Sequence, residues 1–223
     1  MARFTPPAPR DGSRIEFQHV NVATGDHCCA LPGTEDLEGT VDPRDRYIEV
    51  ALTCEYDPCP PGIVKPAEGV TLELKTPATS EQSAALDHTM KLWNATCPAH
   101  PLTFDSGGAV MEYYFVDEAE MANVLPIYVA GNVGLFTYDW DANNVITGSV
   151  VAIANELEGT ELIHFVLEET TQAMGLINDV SDPTSIFDGG VGRVTEYSAL
   201  DSLTIAQHCD DGVIPGMSES DLP

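Results

Sequence analysis

Residues 164–179 read HFVLEETTQAMGLIND and gather the side chains best suited to chemistry. His164, Glu168 and Gln172 recur every four residues, so a helix sets them on one face. Glu169 stands beside Glu168, and Asn178 and Asp179 follow Gly175, where the chain can break away from the helix. A carboxylate with two side-chain amides is an oxygen-only set. It suits calcium, magnesium or manganese better than zinc, which favours imidazole nitrogen or thiolate. Glu168, Gln172, Asn178 and Asp179 are the candidate metal ligands, with His164 one turn earlier as a nitrogen donor. Glu169 is the candidate catalytic base. Zinc lowers the pKa of its bound water to about 7, and without it Glu169 would face a poorly activated water. A divalent cation (calcium, manganese or zinc) is the cofactor these groups allow; a hydrogen-bonded polar cluster with no ligand is the competing reading.

Two further stretches carry reactive types. In DWDANN, Asp139, Asp141 and Asn143 have the alternate spacing that begins a calcium loop. Asn144 and Val150 stand where an EF-hand needs Gly and Glu, so a hairpin turn with solvated acids is the simpler reading. His208 beside Cys209 suits thiolate chemistry, although a cysteine in an oxidised chain is more often bridged. Cys54 and Cys59 bracket a short turn that a local bridge could close. Cys28, Cys29, Cys97 and Cys209 could form two more bridges, in a pairing the sequence leaves open.

The elements that must position these residues follow from periodicity and punctuation. Residues 1–13 are a Pro-rich arm, and 14–78 read as a β-rich segment. Its strands are expected at RIEFQHVNV (14–22), RYIEVALTCEY (46–56) and GVTLELKTP (69–77). From Thr79, whose spacing to Gln82 fits a capping box, a helix is expected through residue 96, with Leu86, Met90 and Trp93 on one face. PLTFD and AVMEYYFVD read as strands, and residues 134–155 as a strand, a polar turn and a second strand. The 161–176 helix carries an apolar stripe through Ile163, Val166, Thr170, Met174 and Ile177, opposite the His164–Glu168–Gln172 face. Ser198 with Asp201 opens a last helix, and the tail from Gly212, acidic through 218–223, is expected to fray.

The order from residue 79 to 217 resembles the metzincin branch of the zinc peptidases. EETTQAMGLIND follows that family's H-E-x-x-H-x-x-G-x-x-H pattern at Glu169 and Gly175, while Glu168, Gln172 and Asn178 stand where its histidines belong. SIFDGG sits where metzincins carry their Met-turn, with Phe187 in the methionine's place. The E-E-x-x-Q-x-x-G-x-x-N-D string followed by SIF is similar to a bacterial domain-of-unknown-function family, number 2927, whose members are mostly expected to be exported. The resemblance implies an α+β, zincin-like fold: a mixed sheet over an active-site-type helix, preceded by the β-rich segment. It implies a metalloprotease-like domain with a degenerate zinc motif, binding a partner, a peptide or a cation at the former active-site cleft. A working hydrolase with a non-standard ligand set is the alternative.

Composition narrows the surroundings. Nine basic against 36 acidic residues give a net charge of −27, which repels nucleic acid and anionic membranes and suits a salty, marine or halophilic medium. No apolar run is long enough to span a membrane. Cysteine usage points to an oxidising compartment, periplasmic or extracellular, although MARFTPPAPRDGS lacks the apolar core of a signal peptide.

Overall fold

The computed structural model describes residues 14–16, 41–54, 59–104, 108–189 and 193–223. The arm at 1–13, the strand expected over 17–22, and Cys28 and Cys29 lie outside the described residues.

The fold is α+β, built on one mixed six-stranded sheet in the order β1-β5-β6-β4-β2-β3. In chain order the strands are β1 (Arg14–Glu16), β2 (Val70–Leu74), β3 (Leu102–Thr103), β4 (Val110–Val116), β5 (Gly134–Trp140) and β6 (Ile146–Ala154). Strands β3, β2, β4 and β6 run parallel, whereas β5 pairs antiparallel with β6 and β1 antiparallel with β5. The hairpin between β5 and β6 is the one expected from its polar turn, with Asn144 at φ 61°. Leu135, Val151, Ala152, Ile153, Met111 and Tyr113 of the central strands are fully buried and form the core of the sheet.

The helices are α1 (Pro43–Leu52), α2 (Ser80–Thr96), the short α3 (Met121–Val124), α4 (Gly159–Gln172) and α5 (Ala199–His208). The capping boxes expected at Thr79 and Ser198 are both present: each hydroxyl takes the N3 amide while the N3 side chain returns to the cap amide. Helix α4 packs against β5, β6 and α2, and α1 packs against α5. No helix among the described residues is long and apolar enough to cross a membrane.

Two expectations are corrected. Residues 43–52 form a helix, not the strand read over 46–56. Asp42 caps its start, accepting the Arg44 amide, and Pro43 occupies the first turn, where its missing N–H costs nothing. Tyr47, Val50 and Ala51 are buried at helical spacing, so the apparent alternation in this stretch carried the wrong period. The tail, expected to be loose from Gly212, is also held. Gly216 N donates to Ile63 O at 2.8 Å, Ile63 N donates to Met217 O at 2.9 Å, and Leu222 is 8% exposed.

Two disulfides are present among the described residues. Cys54–Cys59 closes the local turn, and Cys97–Cys209 ties the end of α2 to the end of α5. Persistent disulfides mark a chain that folds outside the reducing cytosol.

Candidate functional site

Helix α4 begins at Gly159, whose amide has no partner in its own helix and donates instead to Glu81 Oε1 of α2 at 2.8 Å. It ends where Gly175, at φ 108°, turns the chain away, a conformation that strains any residue with a Cβ. A Cβ there would also collide with the Val64 carbonyl oxygen. The expected polar face is not a solvent face. His164, Glu168, Glu169 and Gln172 are each at most 1% exposed, and every residue from His164 to Gln172 is buried. The sheet covers one side of α4, and α1, α5 and the loop after Gly175 approach its C-terminal end. A helix wrapped on all sides must satisfy its polar groups internally.

It does so with named partners. His164 Nδ1 lies 2.9 Å from Val194 O, a pure acceptor, so Nδ1 carries a proton. His164 Nε2 faces Glu168 Oε2 at 3.3 Å, one turn along the helix, and both side chains are only 2% exposed. Glu168 Oε1 has no hydrogen-bond partner among the described residues. Glu169 lies directly beneath β5: a Cβ on Gly134 would fall 2.6 Å from its Oε1, so only glycine lets the strand lie this close. Thr171 donates to Leu167 O at 2.7 Å, leaving its oxygen to accept from Tyr197 OH at 2.7 Å.

The remaining proposed ligands are committed too. Gln172 Nε2 donates to Asp179 Oδ1 at 2.9 Å, and Asn178 Nδ2 donates to Asp179 O at 2.8 Å. The Asn178 amide donates to Val50 O at 3.0 Å, which stitches the loop to α1. The structure thus brings His164 to Glu168, and Gln172 to Asp179, but as two separate couples. Among the described residues no three His, Cys, Asp or Glu side chains are grouped to hold a metal. Zinc does not fit the donor set. Gln172 and Asn178 present amide nitrogens to Asp179, and His164 is the one imidazole donor among them.

Around this helix the SIF stretch forms a pinned loop. Ser185 Oγ donates to Asp201 Oδ1 at 2.6 Å, and Ile186 N donates to Asp201 Oδ2 at 3.0 Å. Phe187 is fully buried. Arg46 reaches Asp182 Oδ2 at 3.0 Å; burial opposes the charge on Asp182, but bonds from Thr184 and Arg46 prevail and hold its pKa below the usual range.

His208 is not part of a thiolate pair, because Cys209 is bridged. Its Nε2 lies 3.1 Å from Met174 O and therefore carries the proton, leaving Nδ1 to accept from Tyr47 OH at 3.1 Å. Burial, then the nearby Lys65 charge, depress its pKa from 6.5 to about 3. Lys65 itself is 4% exposed and donates to His208 O at 2.7 Å and Val213 O at 2.8 Å. Sequence reasoning missed this centre. Its only signal was a lysine between Ile63–Val64 and Pro66 in a chain with three lysines.

The Asp139–Asn143 turn is a hairpin turn. Asp141 Oδ1 accepts from Asn143 N at 2.8 Å and Val145 N at 3.0 Å, and these amides hold its pKa down. Asp139 is exposed at the end of β5.

Comparison with characterised proteins and with solved structures gives no match. The profile of one family, described as a protein of unknown function (DUF2927), matches residues 42–222. That span holds α4 with its two polar couples, the pinned SIF loop and five of the six strands, and the chain belongs to the DUF2927 family.

Proposed function

We propose that this is an exported, zincin-like domain, periplasmic or extracellular, that binds an extended peptide or protein segment along the outer edge of β5. The observation that carries the reading is that this edge takes a strand: Arg14, Ile15 and Glu16 pair antiparallel with Asp139, Tyr138 and Thr137. Backbone hydrogen bonds at a sheet edge supply affinity, and alternate side chains supply selectivity. The carboxylate-bearing face of α4 lies directly beneath that strand, where a peptidase of this architecture would place its chemistry. In this chain Glu168 and Glu169 are buried, and Glu168 and Gln172 are engaged by His164 and Asp179, which favours holding a peptide over cutting it. The charge of −27 disfavours strongly acidic segments as ligands.

The test is hydrogen exchange at the amides of residues 137–139 with extended basic peptides at millimolar concentration. Stronger protection than the three-residue β1 ladder gives is expected there. Stoichiometric zinc, with cleavage of an unstructured protein abolished by Glu169→Gln, would overturn the reading.

A second reading, a hydrolase with a non-standard ligand set, is favoured by Glu168 Oε1, which is buried without a hydrogen-bond partner 1 residue from Glu169. A melt with calcium, manganese and zinc separates the two. A cation at 100 times its dissociation constant adds about 2.7 kcal/mol of stability.

A further inference from the structure

We infer that residues 14–16 are a built-in competitor for the β5 edge, so that the chain regulates its own peptide site and prefers ligands resembling its own RIEFQHVNV stretch; this rests on the peptide-binding reading above. Three observations converge. The segment pairs in antiparallel register with Asp139–Thr137, in the position an added strand would take. It lies outside residues 42–222, the span of the family profile, so the edge belongs to the family domain and its occupant does not. Finally, among the described residues β1 is the outermost strand of the sheet and pairs with β5.

A three-residue ladder is a weak attachment, since each net hydrogen bond contributes only about 1 kcal/mol. What favours it is tethering. A segment covalently joined to the domain is present at an effective concentration of about 1 mM. A free peptide of the same sequence must displace it and is weakened by the ratio of that effective concentration to the segment's own dissociation constant, about 100-fold for a segment that holds the open edge at roughly 10 µM. The ligand class follows from the occupant: an extended segment of alternating apolar and polar residues, free of proline across its central positions. A second copy of this chain can supply the same segment, which makes strand exchange between copies one form of the same event.

The experiment uses the full chain with Ile15→Pro and, separately, Glu16→Pro. Adjacent strand residues direct their N–H groups to opposite sides, so one of these prolines removes a donor facing β5. A labelled peptide of residues 11–22 is titrated into wild type and both variants, with the amides of residues 137–139 as the local readout. Binding to at least one variant about 100-fold tighter than to wild type, at unchanged melting temperature, supports the inference. Equal binding to all three forms overturns it, because the edge is then not self-occupied. If this peptide fails but unrelated extended peptides bind the variants at residues 137–139, the self-like ligand class is wrong and the peptide-binding reading stands. If no extended peptide binds any form, both fall.

Discussion

Gln172 and Asp179 face each other across the break that Gly175 makes in the chain, with Nε2 and Oδ1 2.9 Å apart. This bond ties the end of α4 to the loop that follows it. Asp179 is further hemmed in by Gly189, where a Cβ would lie 2.6 Å from its Oδ2. Gln172→Glu should therefore oppose two carboxylates and destabilise the fold by about 2 kcal/mol at neutral pH, an effect that fades in acid as one of them protonates. Urea unfolding at pH 7 and pH 4 measures it; equal loss at both would contradict the pairing.

Gly175→Ala should be among the most damaging single substitutions, because both the positive φ and the Val64 carbonyl forbid the new methyl. A loss of about 4 kcal/mol or more is expected. A mild effect in thermal melts would mean that the helix end is not built as described.

Lys65 and His208 form one acid-sensitive unit. The folded state holds His208 neutral down to about pH 3, whereas the unfolded imidazole takes up its proton near 6.5. Stability is thus unaffected above roughly pH 6.5 and falls by about 1.4 kcal/mol per pH unit below it, until about pH 3. His208→Gln should remove that part of the acid slope in denaturant titrations. Lys65→Met leaves the His208 and Val213 carbonyls short of a donor, at a cost of about 2–4 kcal/mol, and raises the His208 pKa by removing a neighbouring charge. Histidine proton shifts followed by NMR report that change.

The two disulfides should contribute unequally. Cys97–Cys209 spans 112 residues and Cys54–Cys59 only 5. Loop-closure entropy assigns them about 4.8 and about 2 kcal/mol. Paired Cys→Ala variants melted side by side give the comparison, and a larger loss for the short loop would refute the entropic account.

Local signals were legible in the sequence where one residue type has one physical use. The Thr79–Gln82 and Ser198–Asp201 boxes, the turn before Asn144 and the stop at Gly175 each follow from a single rule of backbone satisfaction or sterics. Helix α1 was misread although Asp42 and Pro43 mark its start, because Ile48, Val50 and Leu52 imitate a strand while Tyr47, Val50 and Ala51 make the buried face. The burial of Glu168, Glu169 and Gln172 was not legible at all. Nothing local tells whether a polar helical face meets water or a wall of neighbours. The His208–Tyr47–Lys65 centre joins residues up to 161 positions apart and has no short-range signature.

Arg46 and Lys65 are drawn into the interior, at 3% and 4% exposure, out of nine cationic side chains in the whole chain. Their positive ends are spent on the Asp182 carboxylate and on backbone carbonyls. What the molecule shows its surroundings is accordingly more one-signed than its composition suggests: a polyanion whose self-repulsion dissolved salt screens. Removing that salt should weaken the fold, so the medium as well as the core sets how tightly this protein closes.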